Sequence, residues 1–368
     1  MSGCTRPPPD LCVISYEELT SPTLDLGDKI GRAYGPGGLG VIAIRGIPGF
    51  VEAKQALLPQ AHTLAHLPAE TLALIEDENS LWNAGWSHGK EKLGDKPDFA
   101  KGSFYFNPLS DAPGTPEERS QFPVSYPCNV WPSEAMPDLE KTAKDLGKLM
   151  RTQVVALSKH IDKFALANVA NYPAGLISDA METTEKAKGR LLYYFPLPDD
   201  VLASGAADSW IGWHNDSGFL TALAGDMYVN DETGEKIANP DPQAGLYVVD
   251  RDGESVRVEI PEDCMAVQLG ECCQIVTGGV LQATPHCVRG AAPKKGSGIK
   301  VARISHPCFI DTAPQFPLSA PEGVSREQVC GGGDSKVPPL ADRWLNDGMV
   351  FGDFLGKTFE MYYAHTKK

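Results

Sequence analysis

Residues 210–223 have the sequence Trp-Ile-Gly-Trp-His-Asn-Asp-Ser-Gly-Phe-Leu-Thr-Ala-Leu. Apolar and polar side chains alternate over much of this segment, which predicts a β-strand and the end of a strand. Because residues two apart in a strand point to the same side, the imidazole of His214 and the carboxylate of Asp216 can reach one point in space. The segment therefore brings two metal-binding side-chain types together at a strand end.

A second histidine, His286, lies in another strand-like segment, Val280-Leu-Gln-Ala-Thr-Pro-His-Cys-Val288. Two histidines and one carboxylate on one face of a metal form the facial triad of non-haem Fe(II) oxygenases, which leaves coordination positions open. Arg303 and Ser305 follow in a segment that alternates in the same way. An arginine near an open metal site indicates a carboxylate-bearing co-substrate, because the guanidinium group matches a carboxylate bidentately.

Taken in order, His-x-Asp-x-Gly-x-x-Thr-x-Leu, the distal histidine and Arg-x-Ser resemble the 2-oxoglutarate/Fe(II)-dependent dioxygenases of the isopenicillin N synthase-like group. Four further features fall in the family's order, namely Gly218, Thr221, the strand Gly245-Leu246-Tyr-Val248 and the turn Gly278-Gly279. The resemblance is good over residues 185–312 and looser over residues 39–48.

This resemblance implies a ligand set and a set of cofactors. His214, Asp216 and His286 are expected to hold Fe(II), with 2-oxoglutarate and O2 as co-substrates. Arg303 and Ser305 are expected to bind the distal carboxylate of 2-oxoglutarate. No catalytic residue is predicted beyond the three metal ligands.

Two further positions carry family roles less directly. In the run Arg190-Leu-Leu-Tyr-Tyr-Phe-Pro196, Tyr194 corresponds to a family tyrosine whose hydroxyl helps to hold the co-substrate. Phe195 separates this tyrosine from the proline, a departure from the family pattern that leaves Tyr193 as the alternative. Phe309 stands where similar enzymes face the substrate, and ordinary core packing is the alternative there.

The implied reaction is hydroxylation, desaturation or cyclisation of a small organic molecule, with succinate and CO2 as co-products. One alternative is an oxidase like isopenicillin N synthase or aminocyclopropane-carboxylate oxidase, which share the triad and Arg-x-Ser but use no 2-oxoglutarate. Another is a jelly-roll binding protein without turnover, although the intact triad argues against it. The sequence leaves the substrate and the oligomeric state open.

The composition of the chain restricts the classes of binding partner and the cellular compartment that we expect. The formal net charge of −15 over 368 residues argues against a nucleic acid or an anionic membrane surface as partner. The nine cysteines form no Cys-x-x-Cys motif, so neither a zinc knuckle nor a thioredoxin motif is expected. Free buried thiols are expected rather than disulfides. The first residues lack the apolar stretch of a secretory signal and no apolar run is long enough to span a membrane, so neither a signal nor a membrane span is expected. A cytoplasmic location follows as an expectation.

The rest of the chain predicts a mostly β protein with flanking helices. Short strands between turns predict a double-stranded β-helix, or jelly roll, over residues 190–314 as the Fe(II)/2-oxoglutarate catalytic core. An N-terminal α/β region with substrate-side loops is expected over 1–135, and a C-terminal loop with helices over 315–368. Between them, residues 136–189 are expected to form a long spine helix, over 137–169 by its periodicity, and a connector.

Three local expectations complete the prediction. Residues 1–12 are expected to form an irregular arm, and residues 225–243 a hairpin insertion. Residues 80–135 show little helical periodicity and are expected to line or cover a site as an extended loop.

Overall fold

The computed structural model describes residues 10–90, 92–93, 96–198, 201–202, 210–250 and 253–365. The predicted fold class is confirmed, because β-sheets dominate, helices flank them and a jelly roll lies at the centre. Most of the arm expected over residues 1–12 lies outside the described residues.

The strands of the described residues vary in length from two to eleven residues. They are β1 (Cys12–Ser15), β2 (Val41–Arg45), β3 (Gly85–His88), β4 (Lys92–Leu93), β5 (Lys96–Pro97), β6 (Lys101–Phe106), β7 (Ala187–Tyr194), β8 (Ile211–His214), β9 (Leu220–Asn230), β10 (Lys236–Ile237), β11 (Gly245–Val249), β12 (Ser255–Val258), β13 (Cys264–Leu269), β14 (His286–Arg289), β15 (Val301–Ile310), β16 (Pro317–Leu318) and β17 (Met349–Val350).

The helices lie mainly before and after the jelly roll. They are α1 (Tyr16–Thr20), α2 (Gly27–Tyr34), α3 (Phe50–Leu57), α4 (Gln60–Ala65), α5 (Ala69–Ala73), α6 (Pro116–Gln121), α7 (Leu139–Asn168), α8 (Leu176–Thr183), α9 (Glu271–Val276), α10 (Arg326–Cys330) and α11 (Phe351–His365), with a 3-10 turn at Leu340–Asp342.

Two antiparallel sheets face each other to form the jelly roll. One contains β13, β9, β15 and β7 in that order, and the other contains β12, β11, β14 and β8. The larger sheet continues through β2 to β1 on one side and through β6 to β3 on the other. The N-terminal part of the chain therefore extends the larger sheet rather than packing as a separate body.

The long helix α7 covers the outer face of the larger sheet. Its buried side chains, including Leu146, Met150, Leu157 and Ile161, belong to the main hydrophobic cluster. This spine helix begins and ends within two residues of the limits expected from the 3.6-residue periodicity (137–169). Smaller apolar clusters fill the space between the two sheets.

A bulge in β9 changes which of its residues face the interior. Ser305 pairs with Asp226, whereas Pro307 pairs with Leu223, so β9 carries one extra residue between these pairs. Gly225 takes up the irregularity with φ of +84°, a conformation that glycine adopts without steric cost. In a regular strand, Leu223 and Tyr228 would face opposite sides of the sheet, because they are five residues apart. Because of the bulge, both belong to clusters between the two sheets.

One expectation was wrong and one was partly right. Residues 101–106, expected to be loop, form β6 between β7 and β3, with Phe104 fully buried. Aromatic residues fit a pleated surface well, and all six residues of β6 are buried within the larger sheet. The expected hairpin after residue 225 exists, since β10 pairs with β9, but residues 225–230 continue β9 itself.

Among the residues described, no helix combines the length and the apolar character needed to cross a bilayer.

The α7 packing gives a stability prediction. Leu157 is fully buried in the main cluster, so Leu157→Ala should lower the free energy of unfolding by about 2–5 kcal/mol through lost transfer energy and a cavity. Leu166 lies on the same helix with 48% exposure, and Leu166→Ala should change it by less than about 0.5 kcal/mol. Urea unfolding of both variants measures the difference, and equal losses would contradict this packing of α7.

Candidate metal centre

The two histidines expected as ligands face each other across neighbouring strands. His214 is the last residue of β8, His286 is the first residue of β14, and the two are paired directly in the sheet. Their ring centroids are 4.2 Å apart. Asp216 follows β8 and is 8% exposed. The pairing of two strand ends thus brings all three predicted ligands together.

Backbone carbonyl groups orient both imidazoles. Nδ1 of His214 lies 2.8 Å from the carbonyl oxygen of Gly212, and Nδ1 of His286 lies 3.2 Å from that of Thr284. A carbonyl oxygen only accepts, so each Nδ1 carries the proton and each Nε2 keeps a lone pair. Burial, together with the neighbouring His286, lowers the pKa of His214 to about 4, which keeps this imidazole neutral at pH 7.

Asp216, the third predicted ligand, has a carboxylate oxygen without a hydrogen-bond partner among the described residues. Oδ2 of Asp216 is buried and makes no hydrogen bond to any residue that the structure describes, while Oδ1 lies 3.8 Å from Nε2 of His286. One ligand atom from each of the three residues lies within 4.8 Å of the others. Ligand atoms at about 2.0–2.2 Å from a common ion lie within about 4 Å of each other, so small side-chain movements complete the site. The donor set fits a divalent iron.

A buried network holds the loop between His214 and Asp216. The backbone N–H of Asn215 donates to the hydroxyl of Tyr362 at 2.9 Å, and its side-chain amide donates to Glu271 at 2.8 Å. The N–H of Glu271 donates to the carbonyl of Asp216 at 2.8 Å. Arg343, fully buried, binds the carboxylate of Glu271 with both terminal nitrogens. Helices α9 and α11 therefore brace the metal loop.

The glycine of the motif allows a close approach behind Asp216. A Cβ at Gly218 would lie 2.0 Å from the carboxylate of Asp311, which accepts a hydrogen bond from the N–H of Phe219 at 2.9 Å. Any larger residue would displace this carboxylate and the turn that carries Asp216.

Arg303 lies deep in the same cavity as the triad. Its side chain is 5% exposed, and its guanidinium carbon lies 4.7 Å from the ring centroid of Tyr194. One terminal nitrogen donates to Asp226, whereas Nε and the other terminal nitrogen are buried without a partner among the described residues. Two donors of a permanent cation therefore remain for an acceptor from outside the chain.

All seven residues singled out from the sequence line one cavity of about 360 Å³. They are His214, Asp216, His286, Arg303, Ser305, Tyr194 and Phe309. The alternative tyrosine, Tyr193, points to the other side of the sheet, where its hydroxyl donates to Asp231 at 2.7 Å. Tyr194 presents its ring face to Arg303, so its contribution in the structure is a cation–π contact.

Comparisons with known proteins give matches in structure only. No protein-family model matches the sequence, and no curated protein matches it either. A protein from Caulobacter crescentus, described as a 2OG-Fe(II) oxygenase family protein, superposes with a TM-score of 0.66 at 18% identity, covering 95% of this chain and 98% of that one. A full-length protein from Neurospora crassa, solved with alpha-KG, gives a TM-score of 0.65 at 18% identity, covering 94% of both chains.

The fold is that of the 2-oxoglutarate/Fe(II) oxygenases. JOX2, solved with 2OG, Fe and JA, also matches this oxygenase fold, with a TM-score of 0.61 at 15% identity over 97% of this chain and 88% of that chain. The architecture expected from the sequence resemblance is thus confirmed.

Sequence reasoning missed several residues that line this cavity. Arg190 lines it and donates from Nε to Ser103 at 3.0 Å. Asp226 and Tyr228 line it through the bulge at Gly225, which an isolated glycine within a strand pattern could have indicated. The Glu271–Arg343 brace joins residues far apart in sequence, and no local pattern marks it.

The brace gives a prediction about stability. Arg343→Met leaves the carboxylate of Glu271 buried without its partner, so the free energy of unfolding should fall by about 3–5 kcal/mol. Lys141→Met removes an exposed ion pair with Asp145 and should leave the free energy of unfolding nearly unchanged, because water screens such pairs. Urea unfolding is the measurement, and a loss for Arg343→Met no larger than for the control would show that the pair does not hold this region.

Proposed function

We propose that the protein is an Fe(II)- and 2-oxoglutarate-dependent oxygenase that acts on a small organic molecule. The observation that carries this proposal is one buried cavity that holds a His-Asp-His group and, deeper inside, an arginine with two donors that no described residue accepts from. These are the two features that a chelated 2-oxo diacid needs, namely an open metal face and a cation for its far carboxylate.

His214, Asp216 and His286 would hold the iron through two Nε2 atoms and one carboxylate oxygen. With iron and 2-oxoglutarate bound, the site supplies activation of O2, and the overall reaction yields succinate, CO2 and the oxidised substrate. Arg303 and Ser305, which lie two apart on β15, would bind the distal carboxylate of 2-oxoglutarate. The two sheets around them keep this end of the cavity out of bulk water, which strengthens each charge-assisted hydrogen bond.

The substrate would occupy the part of the cavity beside the metal, where Phe309 and Arg190 lie. Phe309 supplies an apolar surface, and Arg190 supplies a positive charge near His214. The Neurospora crassa protein solved with thymine or 5-formyluracil, and JOX2 solved with JA, show small organic molecules in proteins of this fold. A small molecule also suits a cavity of about 360 Å³.

The state of the cysteines supports a reducing location. No disulfide links the cysteines of the described residues, and a reducing cytoplasm would preserve both thiols and ferrous iron. We place the protein in the cytoplasm on this ground.

The metal ligands give the first test of function. The wild type should bind about one Fe(II). Asp216→Ala or His214→Ala should weaken Fe(II) binding at least 10- to 100-fold, because loss of a residue that only hydrogen-bonds to a metal ligand already has an effect of that size. Anaerobic titration and elemental analysis measure this. His66→Ala, which changes a partly exposed histidine outside the cavity, should keep full affinity. Retention of iron by both ligand variants would refute the site.

Arg303 tests the co-substrate. Arg303→Leu removes the cation of a buried pair, which costs about 3–5 kcal/mol. At about 1.4 kcal/mol per tenfold, 2-oxoglutarate should bind roughly a hundred- to several-thousand-fold more weakly, while iron binding persists. Arg303→Lys should rescue only in part, because a point charge cannot reproduce the bidentate contact. The measurement is anaerobic titration of the Fe(II) protein, followed through the visible charge-transfer band of the chelate.

The control and the outcomes separate the rival functions. Arg257→Leu removes another cation of the cavity, one that pairs with Glu259, and should leave the affinity nearly unchanged. Absence of any band in the wild type would favour an oxidase that uses no 2-oxoglutarate. Binding without 2-oxoglutarate-dependent succinate release, with substrate extracts present, would favour a binding protein. Equal affinity in wild type and Arg303→Leu would mean that another residue holds the carboxylate.

A further inference from the structure

Arg303 already has a carboxylate partner within the chain. Asp226 accepts a hydrogen bond from one terminal nitrogen of the guanidinium group, and its side chain is 31% exposed to the cavity. An external carboxylate that uses Arg303 bidentately therefore meets an internal carboxylate bound to the same cation. Two carboxylates on one guanidinium group repel each other, and the repulsion is strong where water is scarce.

Gly225 determines that Asp226 faces this cavity. With the bulge at Gly225, Asp226 lies opposite Ser305 and next to Tyr228, whose buried hydroxyl has no hydrogen-bond partner in the part of the chain that the structure describes. Without it, the alternation that places Thr221 and Leu223 inside would turn Asp226 to the outer face. The internal carboxylate is thus a product of a specific backbone irregularity.

A second cation lies within reach of Asp226. Lys54 of α3 is 6% exposed, and its Nζ lies 3.1 Å from where a Cβ on Gly225 would stand. It donates to the carbonyl of Glu262 at 3.2 Å and makes no ion pair shorter than 4 Å among those found in the described residues. Burial lowers the pKa of Lys54, and the negative charge of Asp226 opposes that shift.

We propose that Asp226 is a specificity-determining residue of the co-substrate pocket. Its carboxylate neutralises Arg303 in the empty protein and yields the guanidinium group to the distal carboxylate of the co-substrate, turning towards Lys54. The protein therefore binds a 2-oxo diacid more weakly than it would if Arg303 had no carboxylate partner within the chain. This inference rests on the proposed function, since it presumes that Arg303 serves a diacid.

The test compares two ligands that differ only at the far end. 2-Oxoglutarate and 2-oxopentanoate share the 2-oxo acid, but only the former carries a distal carboxylate. Asp226→Asn keeps the size of the side chain and removes the competing charge, so the Kd for 2-oxoglutarate should fall about tenfold, equivalent to about 1.4 kcal/mol. The Kd for 2-oxopentanoate should change less than about twofold, because this ligand has no distal carboxylate for Asp226 to repel.

Three further variants isolate the cause. Glu259→Gln removes one negative charge from the same cavity without touching Arg303, and both affinities should stay as in the wild type. Asp226→Ser should tighten 2-oxoglutarate binding as Asp226→Asn does, which guards against an effect peculiar to one amide. Lys54→Met should weaken 2-oxoglutarate binding severalfold in the wild type but not in Asp226→Asn, because Lys54 acts through Asp226.

Calorimetric titration and ligand-induced melting shifts provide readouts independent of turnover. The metal-free Asp226→Asn protein should melt at a lower temperature than wild type, because Arg303 is left without a counter-ion, and 2-oxoglutarate should raise its Tm by more. If the wild type binds 2-oxoglutarate and both Asp226 variants bind it no more tightly, the inference is overturned while the proposed function stands. If the wild type does not bind it, the proposed function fails and the inference with it. An equal effect of Lys54→Met in both backgrounds would overturn the role of Lys54.

Discussion

Antiparallel pairing of β14 with β8 places His286 directly opposite His214, and the rest of the site is arranged around this pair. β8 is the edge strand of the smaller sheet and β14 is its neighbour. Between these two strands, the chain crosses to the larger sheet and back more than once. Once the histidines are fixed, the strand alternation brings Asp216 to the same point. The larger sheet then supplies Arg303 from the opposite wall. Two sheets held at a constant spacing thus set the distance between the His-Asp-His group and the arginine.

The sequence predicts those parts of this arrangement that depend on residues close together in the chain. His214 and Asp216 lie two apart at a strand end, Arg303 and Ser305 lie two apart within a strand, and the periodicity of α7 gives its limits closely. Asp226 escapes such reasoning because a single inserted residue inverts the alternation after Gly225. Residues 101–106 escape it because a strand buried on both faces shows no alternation.

The charge of the chain and the charge of its cavity have opposite signs. The protein as a whole carries a formal charge of −15, yet the cavity encloses Arg190, Arg303 and Lys54. An acidic exterior does not attract anions over long distances, so the proposed selectivity for an acid would come from the enclosed cations at short range. Asp226 moderates that selectivity from within, and its exposed fraction leaves it room to move.

The brace on the metal loop has a consequence for the order in which the site is assembled. Asn215 is fixed by a tyrosine 147 residues later in the chain, and Glu271 by an arginine 72 residues later. On the ribosome, which extends a chain at about 5–20 residues per second, the three ligands emerge several seconds before the residues that hold their loop. The nascent protein therefore passes through a stage in which the donor set is complete but its loop is not yet held, and in the proposed metal site discrimination among divalent metals by shape would begin only when the C-terminal helix docks.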